Sequence, residues 1–439
     1  MKRLLALLTA ILCVASPALA QQGPVGTITV AGGKDISVAL PAPQTPSGDP
    51  EGASSEVYDT LLRDLEISGY FSIVDPNAYI EQGKGVEKGT FDMKDWSFLK
   101  VDVLVKTRVL PAGDTDCDAG GKKVCADVFV YYVVNGDGLL EKRFRAEGKS
   151  ARYIGHAMAN AVILSVTGRK GIFGAQIAAV GAQSGNKEIY LLDIDGRGVT
   201  NVTRNGSINL SPSWSPDGRS LAWTSYKKSN PDLYVKELGS GSTRVISNKR
   251  GINTSPAYHP SGGQIALTRS ADGDSDLFVV DAGTGEQVKQ LTRGGGIDVS
   301  PHYSSDGGMI AFASERSGGS QIYLQNTASG DAKRVTFVGD FNSDPVISPD
   351  GSKLAFVGRS EGGFDIYVCD IDGRNVIRLT QDMGDNEDPS WSPDGTYLIF
   401  SSTRKGRSEI WLSTADGNHQ VPITRSGGWT QPTWSPVLP

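Results

Sequence analysis

The sequence predicts a mainly β protein, a six-bladed β-propeller preceded by a small N-terminal α/β domain. Three observations lead there. A short motif recurs at near-constant spacing across the C-terminal two-thirds of the 439 residues. Glycine is abundant, 54 residues together with 22 prolines, where an average chain carries about 7% glycine, so many tight turns are expected. Stretches of helical and strand periodicity alternate only before residue 169.

The repeat is explicit. Ser211-Pro-Ser-Trp-Ser-Pro-Asp-Gly218 returns as SPAYHPSG from Ser255, SPHYSSDG from Ser300, DPVISPDG from Asp344, DPSWSPDG from Asp388 and QPTWSPVL from Gln431. Pro216 and its equivalents Pro260, Ser305, Pro349, Pro393 and Pro436 are spaced by 44, 45, 44, 44 and 43 residues. Such regularity indicates stacked copies of one supersecondary unit. Within a unit, Pro-Asp-Gly is a turn: proline presets φ, aspartate suits the next position and glycine accepts positive φ. A strand follows each turn, as in Leu221-Ala-Trp223 and Ile310-Ala-Phe312, then a second with alternating apolar residues, as in Asp365-Ile-Tyr-Val368. Two more strand-like stretches complete the unit, and four short strands in this length make a propeller blade.

The copy before Ser211 contains Ile177–Val180 and Glu188–Leu191 but has no Trp-Ser-Pro segment ahead of it, whereas Gln431–Trp434 has nothing after it. The last segment is therefore expected to supply the innermost strand of the first blade. That closes the ring and removes an exposed sheet edge; an open superhelical solenoid is the competing architecture.

Ahead of the ring, Val57–Leu65 carries apolar residues at helical spacing, Gly69 suits the helix end, and Tyr70–Val74 reads as a strand. Val101–Val109, Val128–Val134 and Leu139–Glu147 read as further strands and Tyr153–Val166 as a second helix. This alternation implies a small α/β domain, with Gly168–Gly174 leading into the ring. Thr27–Val30 is also strand-like.

Lys2, Arg3, the apolar run Leu4–Val14 and Ala18-Leu19-Ala20 have the layout of a secretory signal peptide cleaved after Ala20. The expected organisation is thus signal peptide 1–20, α/β domain 21–168 and propeller 169–439. In an oxidising compartment Cys117 and Cys125, flanking a Gly-Gly reversal, are expected to form a local disulfide; Cys369 reads as a buried thiol.

The formal charge is −6. Loss of Lys2 and Arg3 leaves 41 of the 43 basic residues against 49 acids, or −8. There is no positive excess for a phosphate backbone, so nucleic acid is not an expected partner. The chain lacks G-x-S-x-G, G-x-x-x-x-G-K-[ST] and H-E-x-x-H, and with them the nucleophile elbow, the phosphate loop and the helical zinc site. His259 and His302 fall near repeat turns and read as surface or turn residues, with a ligand role in the central channel as the alternative. Asp193-Ile-Asp195-Gly196 and Asp370-Ile-Asp372-Gly373 superficially match calcium loops, but position 12 is Arg204 or Gln381 instead of a carboxylate, so they read as turns. No cofactor, no metal and no catalytic residue is expected. The rival class, an oligosaccharide lyase or other propeller enzyme, needs histidines or carboxylates converging on the ring axis, and none can be assembled from the sequence.

A signal of this kind, an α/β domain of this size and six W-S-P-D-G blades ending at Trp434-Ser-Pro436 together resemble the TolB family over essentially the whole mature chain. The resemblance implies a periplasmic adaptor of the Tol–Pal envelope system that maintains outer-membrane integrity and constriction at division. It further implies a propeller that binds the lipoprotein Pal, and an extreme N-terminal segment that engages TolA, with other inner-membrane Tol proteins as further partners. The chain itself is expected to be monomeric and to lack a membrane span. On the ring, residues before and at the start of each inner strand are expected to line one rim as a concave polar platform and to be the Pal contacts: Ser211, Ile252, Ser255, Val299, Ser300, Asn342, Asp344, Asp388 and Gln431. Thr27, Ile28, Thr29 and Val30 are the expected TolA contacts, offering strand-edge hydrogen bonds.

Overall fold

The computed structural model describes residues 36–49, 52–81, 84–117, 123–147, 151–271, 274–381 and 383–436. Cleavage after Ala20 and the Thr27–Val30 strand lie outside them.

The N-terminal domain is a five-stranded sheet with helices on both faces. Its strands are β1 (Ile36–Ala39), β2 (Phe71–Ile73), β3 (Val103–Leu110), β4 (Lys123–Tyr132) and β5 (Gly138–Glu147), in the order β2-β1-β3-β4-β5. β1 is parallel to both neighbours, with Val38 opposite Ile73 and Val103; the other pairs are antiparallel. Alternation divides the faces. Val103, Val105 and Val109 of β3 and Val124, Ala126, Val128 and Val130 of β4 meet α1 (Ala53–Ser68) and α3 (Ala151–Thr167). Leu104, Phe129 and Tyr131 point the other way, onto Trp96 of α2 (Met93–Phe98). Sequence periodicity did not reveal β1 or α2, the first being four residues and the second six. Gly69 ends α1 with φ 70°, the left-handed conformation glycine adopts without penalty. Gly155 lets the two long helices touch: a Cβ there would sit 2.7 Å from Thr60 Cβ and 2.9 Å from the Val57 carbonyl.

The remainder is a ring of six four-stranded antiparallel sheets. Five take all four strands in sequence. The sixth joins Gln176–Gly181, Glu188–Asp193 and Thr200–Asn201 to Trp429–Trp434 from the chain end. Trp429 pairs with Gly181 and Trp434 with Ile177, so the ring is closed by split strands and is not an open spiral. One cavity is bordered by the first strands of all six sheets, which fixes them as the inner strands. Between blades, indoles at their ends bridge to the preceding inner strand: Trp391 Nε1 donates to the Val346 carbonyl at 3.1 Å and Trp434 Nε1 to the Ser390 carbonyl at 3.1 Å.

The two domains share a core. Ile172, Phe173, Tyr190, Ile399, Ile410 and Ile423 pack in one cluster with Leu61, Leu65, Val162 and Ile163. Tyr397 Oη donates to the Ser68 carbonyl at 2.7 Å, and Arg63 donates to the Pro422 carbonyl. Leu398, beside Tyr397, pairs with Trp391 at the end of its inner strand. The N-terminal domain therefore packs on the first and last blades, on the side where inner strands end and away from the side where they begin. Among the described residues no helix is long and apolar enough to cross a membrane. Cys117 and Cys125 form a disulfide, and Cys369 is a free buried thiol.

Candidate functional site

The central cavity, about 500 Å³, follows from a backbone irregularity repeated six times. Ser211, Ser255, Ser300, Asp344, Asp388 and Gln431 all have φ between 48° and 57°. At each, the pairing with the next strand slips, between Thr254 and Ala257 for example and between Thr430 and Thr433. This is a β-bulge that bends the inner strand and re-aims its side chains. Left-handed backbone is uncommon for residues other than glycine, and its recurrence in one ring marks a shared geometric requirement. Each bulge residue precedes a proline (212, 256, 301, 345, 389, 432).

These residues form the cavity wall midway along the inner strands. The sequence reading set them at a rim; the bulge carries them inward. Hydrogen bonds tie the layer together across blades. Ser300 Oγ donates to Asp344 Oδ1 at 2.8 Å. The Gln431 backbone N–H donates to Asp388 Oδ2 at 3.0 Å, and Gln431 Oε1 accepts from the Ser211 backbone N–H at 2.8 Å. Asp388 also accepts from Ser401 Oγ at 2.9 Å. Its carboxyl keeps one edge toward the cavity but is otherwise walled in. Desolvation, the nearby Asp344 charge and, less strongly, Glu387 push its pKa up to about 7 against the hydrogen bonds from Gln431 and Ser401.

His302 also lines the cavity, which differs from the surface or turn placement read from sequence. Its Nδ1 accepts from the Ile347 backbone N–H at 3.2 Å, and burial pulls its pKa down to about 4. A neutral imidazole and two aspartates thus do approach the axis, a convergence the sequence did not reveal. Each is engaged by the ring's own hydrogen bonds.

A correction concerns Asn342. It was expected at the rim, but it is 1% exposed and its amide donates to Gln321 Oε1 at 3.0 Å and the Val338 carbonyl at 2.9 Å. Asn209, Asn253 and Asn386 are buried in the same way, so this position anchors the inner strand. The residue before it is what faces solvent: Ile208, Ile252 and Ile297 are 45%, 38% and 43% exposed. Val299 is half-buried within its strand. Phe337 and Val338, on the approach to the Asn342 strand, are exposed as well. Three successive blades therefore make part of the rim apolar, while the same position is Phe341, Asp385 or Gly428 on the others, where a wholly polar platform was expected. The β-strand periodicity ends just before these positions, so nothing in the pattern distinguished an exposed isoleucine from a buried one.

A closed propeller with a structured central cavity and an α/β domain packed against its first and last blades defines a two-domain propeller protein. Residues 164–438 match the TolB beta propeller domain and residues 27–120 the TolB amino-terminal domain. The chain belongs to the TolB family, components of the Tol-Pal system. It is 39% identical over 195 residues to the Tol-Pal system protein TolB of Geobacter sulfurreducens, 44% of this chain and 43% of that protein. With the one from Syntrophotalea carbinolica it shares 36% over 224 residues, 50% of each. The chain thus matches these curated relatives over about half their length. The crystal structure of TolB from Acinetobacter baumannii superposes with a TM-score of 0.80 at 26% identity, covering 92% of this chain and 98% of that one.

Proposed function

We propose that the protein is a periplasmic adaptor of the Tol–Pal system, exported by a signal peptide ending at Ala20. Its propeller binds the lipoprotein Pal at the opening where the inner strands begin, and its N-terminal segment, Thr27–Val30, engages TolA. Linking the two supports outer-membrane integrity and constriction at division. The observation that carries the reading is the exposed arc of Ile208, Ile252 and Ile297 on three successive blades, on the side where inner strands begin. Apolar residues grouped at a rim mark a protein contact, and the cavity behind them, with Ser255, Ser300, Asp344 and Asp388 in its wall, offers hydrogen-bond partners to a projecting element. The N-terminal domain packs on the first and last blades near the ends of their inner strands, so the two partners would use separate surfaces and couple through the shared core.

The test is titration of the mature protein with soluble forms of Pal and of TolA. Ile252→Asp combined with Ile297→Asp is expected to weaken Pal binding at least tenfold and leave TolA binding unchanged. Deleting residues 21–33 is expected to abolish TolA binding alone. Unchanged Pal affinity in the double variant, or loss of both partners by the deletion with the fold intact, sinks the assignment.

A further inference from the structure

A second polar cluster lies away from the propeller axis, buried where the N-terminal domain meets the first blade. His156 on α3, Asp193 at the end of a blade strand and Asp195 in the turn after it are 3%, 7% and 6% exposed. One potential ligand atom from each lies within 4.8 Å of the other two. Asp64 on α1 holds His156 Nδ1 at 2.6 Å. A carboxylate only accepts, so Nδ1 is the donor to Asp64 and Nε2 is the nitrogen left for another partner. Against desolvation, the Asp64 hydrogen bond and the Asp64, Asp195 and Asp193 charges raise the His156 pKa, so a metal ion would take the place of a proton on Nε2. That Nε2 is buried and has no hydrogen-bond partner.

Charge points the same way. Asp64, Asp193 and Asp195 contribute three negative charges, and Arg152, at 3.0 Å from Asp193 and 2.8 Å from Asp195, returns one positive charge. That leaves −2 with the imidazole neutral and −1 with it protonated, so negative charge is in excess in either state. The aspartates also accept from Gln176 Nε2 at 3.3 Å and the Arg197 backbone N–H at 3.0 Å. A carboxylate has about four lone-pair sites, so both retain room for a further cation.

A buried imidazole oriented by a carboxylate, two more carboxylates and an excess of negative charge form a donor set for a divalent metal. One nitrogen with two oxygens suits Zn²⁺ and its neighbours, whereas Ca²⁺ and Mg²⁺ favour oxygen alone. We propose that His156, Asp193 and Asp195 bind a Zn²⁺-class cation that ties the N-terminal domain to the first blade. Asp64 is the positioning residue, engaging Nδ1 so that Nε2 is left for the ion, and Arg152 braces the two carboxylates. His156 comes from one domain and the aspartates from the other, so the ion acts as an interdomain clamp.

The test uses the chelator-treated mature protein and ZnCl₂ at pH 7.5. Calorimetric titration is expected to show one equivalent bound with a rise in melting temperature. His156→Gln should abolish both, and Asp64→Asn should weaken binding about 10–100-fold. Asp388→Asn, in the central cavity, should leave them unchanged. Crystals soaked in ZnCl₂ should show an anomalous peak between His156 and the two aspartates, a readout independent of how the variants fold. No bound zinc, binding that survives His156→Gln, or a peak elsewhere overturns the proposal.

Discussion

Gln431 accepts the Ser211 backbone N–H on its side-chain oxygen, 2.8 Å away, so the last inner strand of the chain is stitched to the inner strand of the next blade. On its other side the Gln431 backbone N–H reaches Asp388. A few residues on, Trp434 is 6% exposed, with its indole bonded to Ser390. This one strand touches three blades, and the ring's integrity rests on it.

Trp434→Ala is accordingly expected to cost about 3–5 kcal/mol, the usual penalty for emptying an aromatic site in a core. Gln431→Ala should cost about 1–3 kcal/mol by orphaning the Ser211 N–H. Urea unfolding followed by tryptophan fluorescence ranks the two. Equal and negligible effects would mean that closure contributes little to stability.

The repeated bulge makes a different demand. At Ser255 φ is 52°, and a β-branched side chain in left-handed backbone costs roughly 1–2 kcal/mol, whereas glycine adopts it freely. Ser255→Val should therefore be less stable than Ser255→Gly by about that amount, with the wild type between them. The reverse order, from denaturant midpoints, would show that the strain is relieved elsewhere.

The blades were legible in the sequence because Pro-Asp-Gly turns recur at a fixed interval and the strands between them alternate strictly. Ring closure was legible because one copy lacks a strand that another has to spare. What was hidden is long-range. Asp388 and Asp344 read as residues at strand starts, since no local pattern signals that a bulge turns them into a cavity. His156 sits within the apolar spacing of α3, and Asp193 and Asp195 in ordinary turn chemistry. Only the packing of α3 on the first blade brings them together. Asn342 was misplaced for the same reason, because its burial depends on Gln321 of a neighbouring strand.

The Cys117–Cys125 disulfide closes a short loop next to β4, packed on Leu110. Loop-closure entropy for so short a ring predicts a loss of about 2–3 kcal/mol when both cysteines become serine. Thermal unfolding of the oxidised protein against the double variant measures it. An unchanged melting temperature would show that the loop is held by its other contacts.

Asp388 carries the pH dependence of the cavity. Its folded pKa, about 7, lies well above that of an unfolded aspartate, because burial and the Asp344 and Glu387 charges disfavour the anion. Between pH 4 and 7 the folded state therefore holds a proton that the unfolded chain has released, and stability falls as pH rises through that window. Asp388→Asn keeps a neutral side chain of the same size at every pH, so it should remove this decline and leave the variant relatively more stable at pH 8 than at pH 5. Parallel denaturant titrations of both proteins across pH 4–8 give the comparison. Curves that stay parallel across the whole range would show that Asp388 is already ionised in the folded ring, held so by Ser401 and the Gln431 N–H.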